Sequence, residues 1–163
     1  MSAVSLYWFR RDLRLADQPA LEAAAAAGEV VGVFVADEAL LAPAGATRRA
    51  YLAATLGALD RAMGGALCVR VGDPADVLVG LALEVGARVV FGTADFGPYG
   101  RERDRQVVAA LSARGVAVHF LDSPYAVEAG VVSAANGDPY WAATPFRRAW
   151  SCEAVPHLGA GLP

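Results

Sequence analysis

Five short apolar runs alternate with segments of helical character, and this alternation limits the possible folds more than any other feature of the chain. The runs are Val4–Phe9, Val30–Ala36, Ala66–Val71, Arg88–Gly92 and Val116–Leu121. Strands that alternate with helices form a parallel sheet covered on both faces. The sequence therefore predicts a Rossmann-like or flavodoxin-like α/β fold, with five parallel strands in the order 3-2-1-4-5.

Capping residues predict where the helices between these strands begin and end. The predicted N-cap residues of the first three helices are Asp17, Thr47 and Asp73. Aspartate and threonine accept hydrogen bonds from the free amides of a helix start, and Pro74 after Asp73 is typical of the first helical position. The fourth helix is predicted over about Tyr99–Arg114, before Gly115.

Composition indicates one domain with a buried core. Of the 163 residues, 56% are hydrophobic and 19% are charged, which is enough apolar material for a core at this length. After the fifth run the periodicity fades, and residues 122–150 are predicted to form an ordered wrap. Residues 151–163 are rich in Gly, Pro and Ala, which predicts the start of an interdomain linker after a domain over 1–150.

Charge and hydropathy exclude several classes of function. The net charge of -3 argues against a broad electrostatic grip on DNA, which depends on clustered positive charge. No apolar stretch approaches the ~20 residues of a membrane span, and no secretory signal is recognisable, so a cytoplasmic protein is expected.

The cysteines and histidines do not indicate a disulfide, a metal site or a hydrolytic site. Cys68 and Cys152 have the spacing of neither a disulfide framework nor a metal site. His119 and His157 have no acid or nucleophile at a supporting spacing, so hydrolytic catalysis has no support.

Arginines follow the first strand at the point where this topology binds ligands. In such sheets the ligand site lies beyond the carboxyl ends of the strands, at the switch point between strands 1 and 4. Arg10, Arg11 and Arg14 could bind a phosphate or carboxylate, because guanidinium binds these groups in a bidentate way. They could instead pair with Asp12 and fix the loop or an interdomain contact, because runs of charge are usually solvated or paired with one another. Both interpretations remain open from the sequence.

The loops after strands 2 and 4 offer aromatic faces and carboxylates for a flat ligand. The loop after strand 4 also contains glycines, which allow a close backbone approach. The usual dinucleotide and P-loop motifs are absent. Together the three loops predict a pocket whose candidate residues are Arg10, Phe34, Asp37, Asp95, Phe96, Tyr99 and Arg103.

Four segments in order resemble the DNA photolyase/cryptochrome family. They are WFRRDLRLADQPAL (8–21), RVGDPADVL (70–78), ADFGPYGRERD (94–104) and GDPYWAATPFRRAW (137–150). Gln18 stands where the family usually has Asn. The resemblance implies the N-terminal α/β domain, which holds a light-harvesting antenna pigment and passes excitation to FAD in a C-terminal helical domain.

No segment of this chain resembles that flavin domain or its electron-transfer tryptophans. The resemblance therefore implies that the chain does not repair DNA alone, that its partner is the C-terminal FAD domain, and that DNA is contacted only through that domain. The residues of this domain do not separate a repair photolyase from a cryptochrome sensor.

The resemblance also reduces the number of candidate pigments. Folate-binding members carry an Asn-Glu pair where this chain has Tyr99 and Gly100, which makes folate unexpected. Members that bind 8-hydroxy-deazaflavin or a flavin place it among the loops after strands 1, 2 and 4. All fourteen basic residues are Arg, which suggests a GC-rich host able to make 8-hydroxy-deazaflavin. That pigment is favoured, FMN or FAD comes next, and an empty pocket remains open.

An alternative from another class is a stand-alone nucleotide-binding module like the universal stress proteins. Such a module needs a phosphate-binding, glycine-rich loop after strand 4. The segment Gly92-Thr93-Ala94-Asp95 is a poor version of that loop.

Overall fold

Five parallel strands form the centre of the fold in the predicted order. The structure is a computed structural model that describes residues 3–121, 125, 127 and 129–153. The strands are β1 (Val4–Phe9), β2 (Glu29–Ala36), β3 (Cys68–Val71), β4 (Val89–Thr93) and β5 (Ala117–Leu121). They pair in the order β3-β2-β1-β4-β5, and every pair is parallel. The predicted topology is confirmed, with strand ends displaced by one or two residues.

Helices cover both faces of this sheet. In chain order they are α1 (Pro19–Ala27), α2 (Glu38–Leu41), α3 (Ala46–Ala62), α4 (Pro74–Val85), α5 (Pro98–Ser112) and α6 (Ala143–Trp150). No helix in the described ranges is long and apolar enough to cross a membrane.

Alternate side chains of β1 enter two separate cores. Leu6 and Trp8 belong to a buried cluster with residues of α4 and α5, whereas Tyr7 and Phe9 belong to a second cluster with residues of α1 and α3. This follows from the period of two in a strand, which sends successive side chains to opposite faces of the sheet. β1 is therefore buried on both faces, and its carboxyl end lies at the middle of the sheet edge.

Only one of the three residues predicted as N-caps occupies the N-cap position of its helix in the structure. The Asp73 side chain accepts hydrogen bonds from the amides of Ala75 (2.8 Å) and Asp76 (3.3 Å), so this cap is confirmed. The prediction for Asp17 is wrong, because Gln18 occupies the N-cap position of α1 and the Asp17 carboxylate accepts a bond from Arg14 instead. The prediction for Thr47 is also wrong, because the N-cap position of α3 is occupied by Gly45, two residues earlier.

Two helices were not predicted. α2 has only four residues, and its N-cap is Asp37, which the sequence places in a loop. α6 lies within the segment predicted as an ordered wrap, and none of its residues is buried. Of the predicted linker, residues 154–163 lie outside the described part of the chain.

Asp73→Ala is expected to destabilise the protein by about 1 kcal/mol, because it leaves two amides at the start of α4 without an acceptor. Thr47→Ala is the matched control. Thr47 lies inside α3 and caps nothing, so its replacement should change the free energy of unfolding by less than about 0.5 kcal/mol. Urea denaturation of both variants measures this, and an equal loss for both would contradict the assigned start of α3.

Candidate functional site: a cleft at the carboxyl edge of the sheet

A cleft of about 930 Å³ lies where the loops after β1 and β4 meet α2, α3 and the start of α5. This volume is within the range of roughly 300–1,000 Å³ that is usual for small-molecule sites. Its position agrees with the topological rule, because strand order reverses between β1 and β4. The apolar part of its wall consists of Leu13, Leu40, Leu41, Ala44 and Leu52.

The polar wall of the cleft is strongly positive. Six arginines line it, against the single carboxylate of Asp95. The arginines are Arg10, Arg11, Arg14, Arg48, Arg49 and Arg103. Part of this charge is neutralised locally, since Arg14 bonds to Asp12 at 2.9 Å and to Asp17 at 3.4 Å. The surplus makes the cleft suited to an anionic ligand.

Buried ion pairs join the loop after β1 to α5. Arg10 is paired with Asp104, and Arg103 Nη2 lies 3.0 Å from the same carboxylate. Arg103 Nη2 also lies 3.4 Å from Asp95 Oδ2, and Arg11 reaches Asp95 from the exposed side at 3.5 Å. Of the two interpretations that the sequence left open, pairing is confirmed for Arg10, Arg11 and Arg14, and binding of an anionic ligand stays a prediction.

Arg10 retains one unsatisfied donor inside this network. Its side chain is only 5% exposed, and its Nη2 has no hydrogen-bond partner among the described residues. The guanidinium carbon lies 4.7 Å from the centre of the Trp8 ring and 4.8 Å from that of Phe120. Burial lowers the pKa of Arg10, and the Asp104 carboxylate opposes that shift. A buried donor without an acceptor is costly, and the two aromatic faces compensate for part of that cost.

Asp95 is held in its charged form by the groups around it. Burial by itself would raise the pKa of Asp95, but the Gly97 amide and the nearby arginines outweigh burial, and the pKa is lowered. Gly97 N donates to Asp95 Oδ1 at 3.1 Å. The first turn of α5 packs directly on this carboxylate, because a β-carbon at Gly100 would overlap the Asp95 carboxyl group. Glycine at position 100 is therefore a condition for the network.

Tyr99 links the two sides of the sheet edge. Its hydroxyl donates a short hydrogen bond to Asp37 Oδ2, while Asp37 Oδ1 accepts from the Ala39 amide and so caps α2. Partial burial, the hydrogen bond to Asp37 and the negative charge of Asp37 raise the pKa of Tyr99 to about 12. The ring remains 44% exposed and lines the cleft.

The structure brings four of the seven predicted site residues onto the cleft wall. These are Arg10, Asp95, Tyr99 and Arg103. Asp37 does not line the cleft but anchors Tyr99. Phe34 is 7% exposed and belongs to the core beneath, with Tyr7 and Phe9. Phe96 lies outside the lining, with its ring centre 6.1 Å from that of Tyr125.

Sequence reasoning missed the wall that α2 and α3 supply. Leu40 and Leu41 belong to a helix too short to show periodicity. Arg48 and Arg49 could have been noticed in the sequence. Two arginines in the first turn of a helix are unusual, because the positive end of the helix dipole disfavours cations there. Among the described residues, no group of three or more His, Cys, Asp or Glu side chains could hold a metal ion.

Comparison with known proteins gives consistent matches along the chain. The family model described as DNA photolyase matches residues 5–160. A deoxyribodipyrimidine photo-lyase of Synechococcus sp. is 35% identical over 167 residues, covering 96% of this chain and 34% of its own.

Solved structures give the same result. A class III photolyase from Agrobacterium tumefaciens superposes with a TM-score of 0.88 at 29% identity, covering 99% of this chain and 34% of its own. An archaeal photolyase from Sulfolobus tokodaii shares the fold, with a TM-score of 0.84 at 21% identity over 96% of this chain and 36% of its own. The chain thus spans about a third of the length of these relatives.

Gly100→Ala is expected to displace the Asp95 carboxylate and to cost about 1–3 kcal/mol of stability, as overpacking does elsewhere. Gly80→Ala is the matched control in α4, where a β-carbon meets no atom within 4 Å. It should gain about 0.5–1 kcal/mol, because alanine restricts the unfolded chain. Thermal and urea unfolding compare the two, and a stabilising Gly100→Ala would refute the close packing on Asp95.

Asp37→Asn is expected to lower the pKa of Tyr99 from about 12 toward its ordinary value of 10.0, since it removes the facing negative charge. Asparagine is also a good N-cap, so α2 should persist. The phenol of the parent protein ionises at higher pH when folded than when unfolded, so its stability contribution is lost as pH rises from about 10 to about 12. Ultraviolet titration, with Tyr99→Phe subtracted, measures the shift, and an unchanged midpoint would contradict the assignment.

Proposed function

Because this chain belongs to the DNA photolyase family, we propose that it is the antenna domain of a photolyase or cryptochrome. It binds a light-absorbing pigment and passes the excitation to FAD in a C-terminal domain. The observation that carries this proposal is the cleft at the switch point between β1 and β4, which combines leucine walls with a few convergent polar groups. The pigment supplies the absorption of light, and the protein supplies its position and surroundings.

The residues present fit a flat tricyclic pigment. Leu13, Leu40 and Leu52 offer apolar contact, and the exposed face of Tyr99 offers stacking. Arg10 also lies on the cleft wall, where its pairing with Asp104 fixes its position. Asp95 and Arg103 add an acceptor and donors on the same wall.

Two observations support a choice among pigments: the residues at the positions that bind folate in other members, and the packing of α5 on Asp95. We favour 8-hydroxy-deazaflavin, with FMN or FAD as the next candidates. Folate is disfavoured, because the glutamate of folate-binding members would stand at position 100, where even a β-carbon overlaps Asp95. The Sulfolobus tokodaii photolyase is described as holding two FAD molecules, with the implication of a novel light-harvesting cofactor. That description supports a flavin in second place.

The whole protein would be a cytoplasmic light-dependent repair enzyme or sensor, and this domain alone would not be catalytic. The C-terminal FAD domain is the proposed partner, and DNA is contacted through it. Trp141 is fully exposed, and Phe146 and Trp150 are more than a third exposed. Phe146 and Trp150 lie one turn apart on α6, and exposed aromatic side chains of this kind are typical of an interaction surface, which supports contact with a further domain.

Family membership favours this proposal over the module of universal-stress-protein type. The loop after β4 also differs from a phosphate cradle, because Asp95 occupies it and accepts the Gly97 amide that a phosphate would need. ATP therefore serves as a negative control in the binding experiment.

The purified chain is expected to bind 8-hydroxy-deazaflavin or a flavin saturably, with a shifted absorption band, and not to bind folate or ATP. Tyr99→Ala should weaken this binding about tenfold, because it removes an aromatic face worth roughly 1 kcal/mol or more. Tyr140→Ala is the matched control, since Tyr140 does not line the cleft. Absorption and fluorescence titrations measure the affinities. Failure of every tricyclic compound to bind the folded protein would overturn the proposal.

A further inference from the structure

Tyr99 combines a ring on the cleft wall with a hydroxyl that has a buried base as its partner. The ring lines the cleft and is 44% exposed, while the hydroxyl donates to Asp37 Oδ2. Asp37 is itself buried, and its other oxygen is fixed by the Ala39 amide at 3.0 Å. A proton acceptor is therefore held in place at one end of an aromatic side chain that faces the cleft.

A second tyrosine on the same wall shows that exposure alone does not create this arrangement. Tyr51 also lines the cleft, and it is more exposed than Tyr99, at 74%. Among the described residues, no side chain accepts a hydrogen bond from the Tyr51 hydroxyl. The two tyrosines thus share a cleft and differ in the presence of a base.

Trp8 lies behind the same wall, but its surroundings oppose the loss of an electron. It is buried, and the guanidinium carbons of Arg10 and Arg103 lie 4.7 Å and 4.9 Å from its ring centre. An indole that loses an electron first becomes a cation, and positive charges against its face disfavour that cation. Arg103 also lies 5.9 Å from the ring centre of Tyr99, but a tyrosine that loses its proton together with an electron becomes neutral, so it avoids this cost.

We propose that Tyr99 and Asp37 form a redox-active pair that quenches a photoexcited pigment in this cleft. Tyr99 gives up one electron to the excited pigment, which is the oxidant and is reduced by that electron. At the same time the O–H bond of Tyr99 breaks, and the proton moves to Asp37 Oδ2. The products in the protein are a neutral tyrosyl radical and a protonated Asp37. Return of the electron and the proton to Tyr99 restores the starting state, so nothing is consumed and the light energy leaves as heat.

The inference rests on the proposed function for the source of the oxidant, and it adds a second fate for the absorbed light. Excitation that is not passed to the C-terminal domain ends at Tyr99. The phenol holds its proton at neutral pH, since the pKa of Tyr99 is raised to about 12. A carboxylate already in hydrogen-bond contact accepts that proton without diffusion or reorientation.

A chemical oxidant tests the pair without any bound pigment. The full chain carries W141F/W150F, which removes the two exposed tryptophans, and it is mixed with hexachloroiridate(IV), a one-electron oxidant, in a stopped-flow absorbance experiment. Tyr99→Phe should slow the consumption of the oxidant about tenfold, and Asp37→Asn should do the same because the positioned base is lost. Tyr51→Phe is the matched control and should change the rate little, although Tyr51 is the more exposed tyrosine.

A bound pigment tests the quenching itself. With riboflavin in the cleft, Tyr99→Phe and Asp37→Asn should each lengthen the fluorescence lifetime about tenfold, since both remove the proton-coupled step. Exchange into D₂O should lengthen the lifetime in the parent protein and not in Tyr99→Phe. Phenylalanine keeps the aromatic face, and asparagine keeps a good N-cap for α2, so both variants should remain folded and able to bind.

The inference is overturned if Tyr99→Phe leaves both the oxidation rate and the lifetime unchanged, or if Tyr51→Phe has an equal effect. It is also overturned if Asp37→Asn, shown to be folded by urea denaturation, has no effect on either. In each case saturable binding of the pigment would leave the proposed function intact. If no tricyclic pigment binds while hexachloroiridate still oxidises Tyr99 faster than Tyr51, the proposed function fails and the redox chemistry of the pair stands.

Discussion

Buried ion pairs between the loop after β1 and the first turns of α5 set the shape of the cleft. Asp104 receives Arg10 and Arg103, and Asp95 receives Arg103 and Arg11, so two carboxylates are shared among three guanidinium groups. Loss of one partner from a buried pair leaves an uncompensated charge, at a cost of roughly 3–5 kcal/mol. Arg10 and Arg103 cannot turn to solvent without that cost, so both remain on the cleft wall.

Two local conditions support this network. Trp8 lies beneath it, with the guanidinium carbons of Arg10 and Arg103 at 4.7 Å and 4.9 Å from its ring centre. This cation–π contact strengthens as water is excluded. Gly100 allows α5 to begin directly on Asp95, since any side chain there would displace the carboxylate. Both features make the wall rigid before a ligand binds, and rigid walls reduce the entropic cost of binding.

Much of the fold follows from local pattern. The apolar runs predict all five strands, and the rules of right-handed crossover predict their order, because both depend on periodicity and connectivity. The caps are less predictable. Asp17 and Asp73 are the same residue type before a helical segment, yet only Asp73 caps, because Asp17 adopts a positive φ of 56° and bonds to Arg14. α6 is strongly amphipathic, with Phe146 and Trp150 one turn apart, so the sequence did carry a helical signal, but the prolines and glycines around it obscured that signal.

The pattern of residues along the chain was enough to predict the topology and the edge of the sheet where the cleft lies. Which residues of those loops form the cleft depends on contacts between distant parts of the chain. Arg10 and Asp104 are 94 positions apart in the chain, and Tyr99 and Asp37 are 62 apart, so no local pattern indicates that they meet. Phe34 and Arg48 show the same limit. Phe34 was predicted to lie in the site but is in the core, whereas Arg48 was not predicted and lines the cleft. The strand period sends Phe34 into the core, while the packing of α3 against the sheet brings Arg48 to the cleft, because burial and charge placement depend on neighbours that are distant in sequence.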